Sequence, residues 1–240
     1  MLHSDFVHLH LHSQYSLLDG ACKIDELIEL SRYYKMPAVS VTDHGNLFAA
    51  IEFYSKAIES GIKPVLGCEF YLTAGSRFDK SAGIKNKNLS HLTLLAKDED
   101  GYQNLVKLVS LAYLEGFYYK PRIDKDILKS CCRGLICLSG CMKSEINQAL
   151  LCDNYEKAEQ AAGFYKEIFE RESFYIELQD QFIPEQRKLV AESVKLAKNM
   201  NIPCVATNDV HYLRKEHSYA HEILLAVQTQ TTIDLSLIHI

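Results

Sequence analysis

Residues 6–20, with the sequence FVHLHLHSQYSLLDG, decide the predicted fold. In an extended chain, alternate side chains point to opposite sides, so His8, His10 and His12 share one face and the leucines between them share the other. The aliphatic face predicts a strand that packs against helices, whereas a row of imidazoles needs a polar partner such as a metal ion. For a lone His-x-His pair, the alternative is an edge strand whose histidines face water.

Composition excludes several classes of protein. The 240 residues carry 26 Lys and Arg against 31 Asp and Glu, a net charge of -5, so no global basic field attracts nucleic acid. The eight cysteines include the adjacent pair Cys131 and Cys132 but no C-x-x-C motif, which argues against a disulfide scaffold or a zinc ribbon. No signal peptide and no run of eighteen apolar residues is present. We therefore expect a soluble protein of the reducing cytoplasm with no membrane partner.

Apolar periodicity along the chain alternates between the strand and helix periods. Strands are expected at residues 6–12, 38–42, 64–72, 91–96, 134–138, 174–179 and 203–207. Helices are expected at residues 22–35, 47–60, 101–114, 144–151, 155–170, 185–200 and 216–228. This alternation predicts an α/β fold with a parallel sheet and helical crossovers, and seven strands favour a (β/α) barrel over an open sheet.

The chain shows no internal repeat and no low-complexity linker, so we predict a single domain over residues 1–234. The last six residues, LSLIHI at 235–240, resemble the translation of an adaptor used to prepare sequencing libraries. A native strand is the equal alternative, and the segment is left out of the fold prediction.

Metal-ligating residue types collect at the ends of the predicted strands. The carboxyl ends of the strands in a (β/α) barrel meet at one face, so these side chains are expected to converge. They are His10, His12, His44, Glu69, Cys141, Asp209 and His211. Asp19 follows the first strand closely enough to fold back over the same face. His91 begins its strand instead of ending it, and the sequence alone provides no reason for that.

Each candidate also has a structural explanation. Glu69 is a charge inside an apolar strand, which favours a bound cation, whereas a lone Cys141 is usually a small buried hydrophobe. Asp209 and His211 would point the same way on an extended segment, although a solvated D-x-H loop is common. His8 is interpreted as a core histidine. The remaining histidines are interpreted as surface or helix residues: His3, His217 and His221.

Several short motifs, in this order, resemble those of the PHP (polymerase and histidinol phosphatase) superfamily: HLHSQYSLLDG, TDHGN, GCE, HLTLLAKDEDGYQNL, SGC and NDVH. More narrowly, GYQNLVKL, FYYKPRID and YAHEILLAVQTQTTID resemble the N-terminal PHP domain of bacterial DNA polymerase III alpha subunits. The similarity covers residues 5–234. It implies a fragment of such a polymerase, with the polymerase palm downstream.

The resemblance implies a distorted (β/α)7 TIM-like barrel, the PHP fold, with a trinuclear metal site. Carried over position by position, it implies nine metal ligands, namely His10, His12, Asp19, His44, Glu69, His91, Cys141, Asp209 and His211. Among these, His12, Asp19 and Asp209 are assigned to catalysis. No ligand is replaced, which distinguishes the chain from family members that have lost ligands and are thought to be inactive scaffolds.

Nine ligands are too many for one zinc ion, so two or three divalent metals are expected; zinc suits the thiolate and imidazoles, and manganese or iron suits the carboxylates. Clustered divalent metals activate water and stabilise phosphoryl displacement. The resemblance therefore implies a 3′-5′ proofreading exonuclease acting on the 3′ end of a DNA primer, with the rest of the alpha chain and replisome subunits as partners.

Residues 117–124, FYYKPRID, are the candidate DNA contact. Lys120 and Arg122 are predicted to contact the DNA backbone, and Tyr118 and Tyr119 to stack on an unpaired base. The alternative is a tyrosine-rich loop that packs on the barrel.

Two rival functions remain open. A free-standing phosphatase of the histidinol phosphate type would act on small phosphomonoesters and not on DNA. A metal-stabilised scaffold that braces the polymerase would keep its ligands for folding alone.

Overall fold

The computed structural model describes residues 3–81 and 89–233. These residues form two compact units, of which the first takes the chain up to residue 66 and again from residue 208, and the second takes residues 67–207. The prediction of one domain over residues 1–234 stays a prediction, and the suspected tail at 235–240 lies outside the described residues. No helix within the described ranges is both long enough and apolar enough to span a bilayer.

The element order is α1 (Ile24–Tyr33), β1 (Ala38–Val41), α2 (Ala50–Glu59), β2 (Lys63–Thr73), β3 (Leu89–Ala96), α3 (Glu99–Leu114), β4 (Arg122–Ile123), α4 (Lys125–Ser130), β5 (Leu135–Leu138), α5 (Glu145–Leu151), α6 (Tyr155–Ile168), β6 (Phe174–Leu178), α7 (Pro184–Met200), β7 (Cys204–Ala206), a short 3-10 helix (Lys215–His217) and α8 (Ser218–Thr229). The predicted α/β class is confirmed, and most predicted elements occur within a few residues of their expected positions.

The core of the first unit is built on the apolar stripe of α1. Ile24, Leu27 and Ile28 are buried together with Phe53 of α2 and Val39 of β1. The spacing of these α1 residues is the helical period that the sequence predicts. Beside this core, β1 pairs in parallel with residues 63–66 of β2.

The opening segment of the first unit is not the regular strand that was predicted. Leu11 and Ser13 make only isolated bridges. The segment is instead held from two sides, because the Leu11 N–H donates to Thr42 Oγ1 at 3.0 Å and the His12 N–H donates to Val210 O at 2.8 Å. The predicted alternation nevertheless survives, since Leu11 lies in the core while His12 lies outside that apolar cluster.

The sheet of the second unit is mixed, so the prediction of a parallel sheet is wrong there. Residues 67–73 of β2 pair antiparallel with β3, which pairs antiparallel with β5. The pairs β5 with β6 and β6 with β7 are parallel, and β4 pairs in parallel with β2. Antiparallel neighbours need no helical crossover, and β3 therefore enters the sheet at the end where β2 leaves it.

The direction of β3 explains the unusual position of His91. The antiparallel register places His91 opposite Tyr71 and Thr93 opposite Glu69. The beginning of β3 thus lies beside the carboxyl end of β2. A residue that starts this strand occupies the same end of the sheet as residues that finish its neighbour.

Candidate metal centre

Three histidines of the first unit bring their ring nitrogens together. His12, His44 and His211 each offer one nitrogen, and these atoms lie within 4.8 Å of one another. The ring centroid of His12 lies 4.1 Å from that of His44 and 4.4 Å from that of His211. The three residues come from the opening segment, the turn after β1 and the segment after β7, so only the folded chain assembles them.

Asp19 reaches the same histidines because the chain turns back tightly before it. Its Oδ2 lies 2.8 Å from His44 Nε2, and its Oδ1 lies 3.7 Å from His211 Nε2. The turn depends on Gly20, where a Cβ would lie only 2.1 Å from the backbone oxygen of Ser13. The glycine of the D-G pair therefore permits the close approach that positions the carboxylate.

Asp209 approaches the cluster from the other side. Its Oδ1 lies 3.3 Å from His10 Nε2 and 3.2 Å from His12 Nε2. Asp209 adopts a left-handed backbone with φ 49°. The expectation of an extended D-x-H segment is therefore wrong at this residue, since Asp tolerates the left-handed region and the turn re-aims its carboxylate. His211 remains close, with Nδ1 2.9 Å from the Asp209 backbone oxygen.

The electrostatics of both carboxylates favour a cation. Burial alone would raise the pKa of Asp19, but the hydrogen bond from His44 and the charge of His211 hold it well below its usual value. Burial likewise opposes ionisation of Asp209, and His10 and His12 hold its pKa low. The Oδ1 atoms of both aspartates are buried, and each lies within 4 Å of an imidazole nitrogen. Imidazole nitrogens around such carboxylate oxygens suit a divalent metal.

A second group of candidate ligands lies in the second unit. His91 Nδ1 lies 3.0 Å from Glu69 Oε1, and Cys141 Sγ lies 3.5 Å from both of these atoms. Glu69 is almost completely buried. A buried carboxylate beside an imidazole and a thiol is the set of donors that a divalent metal binds.

The structure thus brings the nine predicted ligands into two groups, one in each unit. The first unit holds His10, His12, Asp19, His44, Asp209 and His211. The second holds Glu69, His91 and Cys141. The convergence of all nine on one trinuclear site stays a prediction.

Two buried acidic residues were missed by the sequence analysis. Asp43 accepts hydrogen bonds from Ser13 and Ser16; burial raises its pKa, and these hydrogen bonds oppose that rise. Glu177, at the end of β6, accepts from the Gly140 N–H at 3.0 Å and so holds the loop before Cys141. Glu177 is a charge within an apolar strand, which is the signal that singled out Glu69, whereas Asp43 only follows the end of β1.

His221 was interpreted as a surface or helix residue, and the structure places it on a helix but not at the surface. It lies on α8 but is only 9% exposed, and its ring centroid is 5.6 Å from that of His211. Burial lowers the pKa of His221, and the neighbouring His211 lowers it further. His8 is only half-buried, so its interpretation as a core histidine stays a prediction; burial lowers its pKa.

The predicted DNA contact by Arg122 is wrong for this structure. Arg122 is 1% exposed, so its guanidinium faces backbone carbonyls and not solvent. Lys120 is partly exposed, with Nζ 5.2 Å from the ring centroid of Tyr71. Tyr119 is 57% exposed and packs edge-on against Tyr118. Lys120 and Tyr119 therefore remain the accessible members of the segment.

Comparison with known proteins defines the class to which this fold and these donors belong. The PHP domain model matches residues 8–181, and the chain belongs to this family. Among solved structures, a Bifidobacterium adolescentis protein described as a metal-dependent phosphoesterase has a TM-score of 0.53 at 14% identity, covering 86% of this chain and 87% of that chain. This likeness confirms the predicted fold class, a distorted TIM-like barrel of the PHP kind.

Among curated proteins, the chain is similar to DNA polymerase III alpha subunits. The chain is 50% identical over 235 residues to DNA polymerase III subunit alpha of Thermus aquaticus. The aligned residues cover 95% of this chain and 19% of the relative. The corresponding subunit of Aquifex aeolicus is 46% identical over 234 residues, covering 95% of this chain and 20% of the relative. The chain therefore spans about a fifth of the length of the curated relatives that it matches.

Proposed function

We propose that this chain is the N-terminal PHP domain of a cytoplasmic DNA polymerase III alpha subunit and acts as a metal-dependent 3′-5′ exonuclease in proofreading. The observation that carries the proposal is the complete donor set. Ring nitrogens of three imidazoles of the first unit lie within 4.8 Å of one another, with the buried carboxylate of Asp19 and the partly buried carboxylate of Asp209 beside them. The identity to polymerase alpha subunits supports DNA as the substrate.

The residues of the chain have distinct roles in this proposal. His12, His44 and His211 would hold metal through nitrogen, and Asp19 and Asp209 would balance its charge. When bound, two or three divalent metals would supply an activated water at neutral pH and stabilise the charge that develops on the phosphate. Zinc is the first expectation, because imidazole and the Cys141 thiolate suit it, and the carboxylates also admit manganese or iron.

The primer strand would be held locally, since the net charge is -5. Lys120 would contact the DNA backbone, and the exposed ring of Tyr119 would stack on an unpaired base. The mispaired 3′ end is the natural target, because an unpaired base leaves the duplex at the lowest cost. The remainder of the alpha chain and the replisome subunits are the proposed partners.

The test combines metal content with activity. Metal per chain is measured by elemental mass spectrometry, and cleavage is measured on a primer with a 3′ mispair, with zinc and with manganese. The variants are the double substitution Asp19→Asn with His12→Ala, and the control His217→Ala, a histidine outside the cluster. We expect the parent and the control to bind at least two metals and trim the primer, and the double variant to do neither.

Other outcomes identify the rival functions. Hydrolysis of p-nitrophenyl phosphate by a parent that leaves every primer intact would indicate a small-molecule phosphatase of the histidinol phosphate type. Tight metal binding without hydrolysis of either substrate would indicate a scaffold whose metal serves stability. Either result would refute the proofreading proposal for this chain.

A further inference from the structure

Ser16 joins two candidate ligands of the first unit to a buried carboxylate. Its Oγ lies 2.7 Å from Asp43 Oδ1 and 3.1 Å from His12 Nδ1, and it accepts the backbone N–H of His44 at 3.1 Å. Ser16 is 1% exposed, so these three contacts surround a hydroxyl that water does not reach. Neither Ser16 nor Asp43 belongs to the predicted ligand set.

The direction of each hydrogen bond follows from counting protons. A serine hydroxyl has one proton and two lone pairs. The His44 N–H is a donor and uses one lone pair of Ser16. Asp43 also receives the N–H and the O–H of Ser13, each at 2.7 Å, and so acts as an acceptor throughout. Ser16 therefore donates its single proton to Asp43, and its second lone pair faces His12 Nδ1.

We propose that Ser16 and Asp43 are positioning residues that hold His12 with its proton on Nδ1, so that its Nε2 presents a lone pair to a metal. This inference rests on the proposed function in one respect, namely that His12 is a metal ligand. His12 Nε2 lies 3.2 Å from Asp209 Oδ1, and in this tautomer both atoms are acceptors, so a metal cation bound by both would satisfy them. A carboxylate that orients a ligating histidine is a general device of metal sites, here extended through a serine.

The sequence offers a matched control for this arrangement. Ser13 is a second buried serine that donates to the same carboxylate, but its hydroxyl donates to Asp43 Oδ2 and not to a histidine. Ser13→Ala therefore removes a hydroxyl and one hydrogen bond to Asp43 while leaving the contact between Ser16 and His12. Ser16→Ala removes that contact directly.

The experiment determines which nitrogen of His12 carries the proton. Chains labelled with ¹⁵N in histidine are studied by NMR without metal and with Zn²⁺, and the His12 signals are assigned from their loss in His12→Asn. Zn²⁺ affinity is measured in parallel by competition with a chelator. We expect Nδ1 to be protonated in the parent and in Ser13→Ala. Ser16→Ala should lose this preference and bind Zn²⁺ about 10- to 100-fold more weakly.

Two results would overturn the inference: a parent in which Nε2 alone carries the proton, or a Ser16→Ala chain with unchanged tautomer and unchanged Zn²⁺ affinity. The parent spectrum decides the question even if Ser16→Ala does not fold. Failure of this inference and failure of the proposed function give different results. If Nδ1 of His12 is protonated in a chain that cuts no primer, the positioning role of Ser16 and Asp43 is supported and the exonuclease proposal is refuted.

Discussion

Arg122 provides the sharpest test of how the second unit is held together. Its Nε donates to Gly116 O at 2.8 Å, and one terminal nitrogen donates to Arg77 O at 2.9 Å and Asp79 O at 2.8 Å. One side chain thus joins the segment before β4 to the loop after β2. Arg122 is 1% exposed, so its charge is desolvated at a cost that these hydrogen bonds must offset, and burial lowers its pKa.

The expected loss on truncation follows from these contacts. A hydrogen bond between a charged donor and a neutral acceptor contributes about 1.5–3 kcal/mol. Removal of Arg122 breaks three of them but also relieves a buried charge, and water can reach the two partly buried carbonyls. We therefore expect Arg122→Ala to lower the free energy of unfolding by about 3–5 kcal/mol. For a chain of this length each kcal/mol corresponds to about 2–4 °C in Tm.

Two further variants separate the hydrogen bonds from the charge. Arg122→Lys keeps the charge, but an ammonium cannot reach all three carbonyls, so an intermediate loss is expected. Arg133→Ala is the control, because Arg133 is exposed and pairs with an exposed Asp100, and its loss should stay below about 1 kcal/mol. Unfolding is followed by urea titration and circular dichroism. If the Arg122→Ala chain is as stable as the parent but binds DNA more weakly, the stabilising role of the buried Arg122 is refuted. The prediction that Arg122 contacts DNA would then stand again.

Two other substitutions test the same unit. Burial disfavours the ionised form of Asp124, but hydrogen bonds from Arg77 hold its pKa below 3.8, so its contribution to stability is present above pH 3.8 and is lost as the pH falls through the folded pKa. Asp124→Asn should therefore weaken the dependence of the unfolding free energy on pH at the acid side, measured by urea titration between pH 7 and pH 3. An unchanged pH dependence would contradict this. Gly140 has φ 92°, and a Cβ there would lie 2.6 Å from His91 O, so Gly140→Ala should cost more than about 1 kcal/mol and weaken metal binding. Gly75→Ala, where a Cβ meets nothing within 4 Å, is its control and should leave both measurements unchanged.

Much of the candidate centre was predictable because its signals are local. The alternation of His10, Leu11 and His12 separates polar from apolar side chains in any extended segment, whether or not a regular strand forms. The helical period likewise predicted the buried face of α1. A charge within an apolar strand singled out Glu69, and the same reasoning would have found Glu177.

Only the tertiary structure decided the rest, because those features depend on pairing between distant segments. The direction of β3 beside β2 is set by sheet pairing, and it alone explains why His91 begins a strand yet belongs with Glu69. The burial of Arg122 depends on carbonyls supplied by two separate loops. The sequence by itself determined which residue types were available for metal chemistry, and long-range pairing determined which atoms of those residues meet.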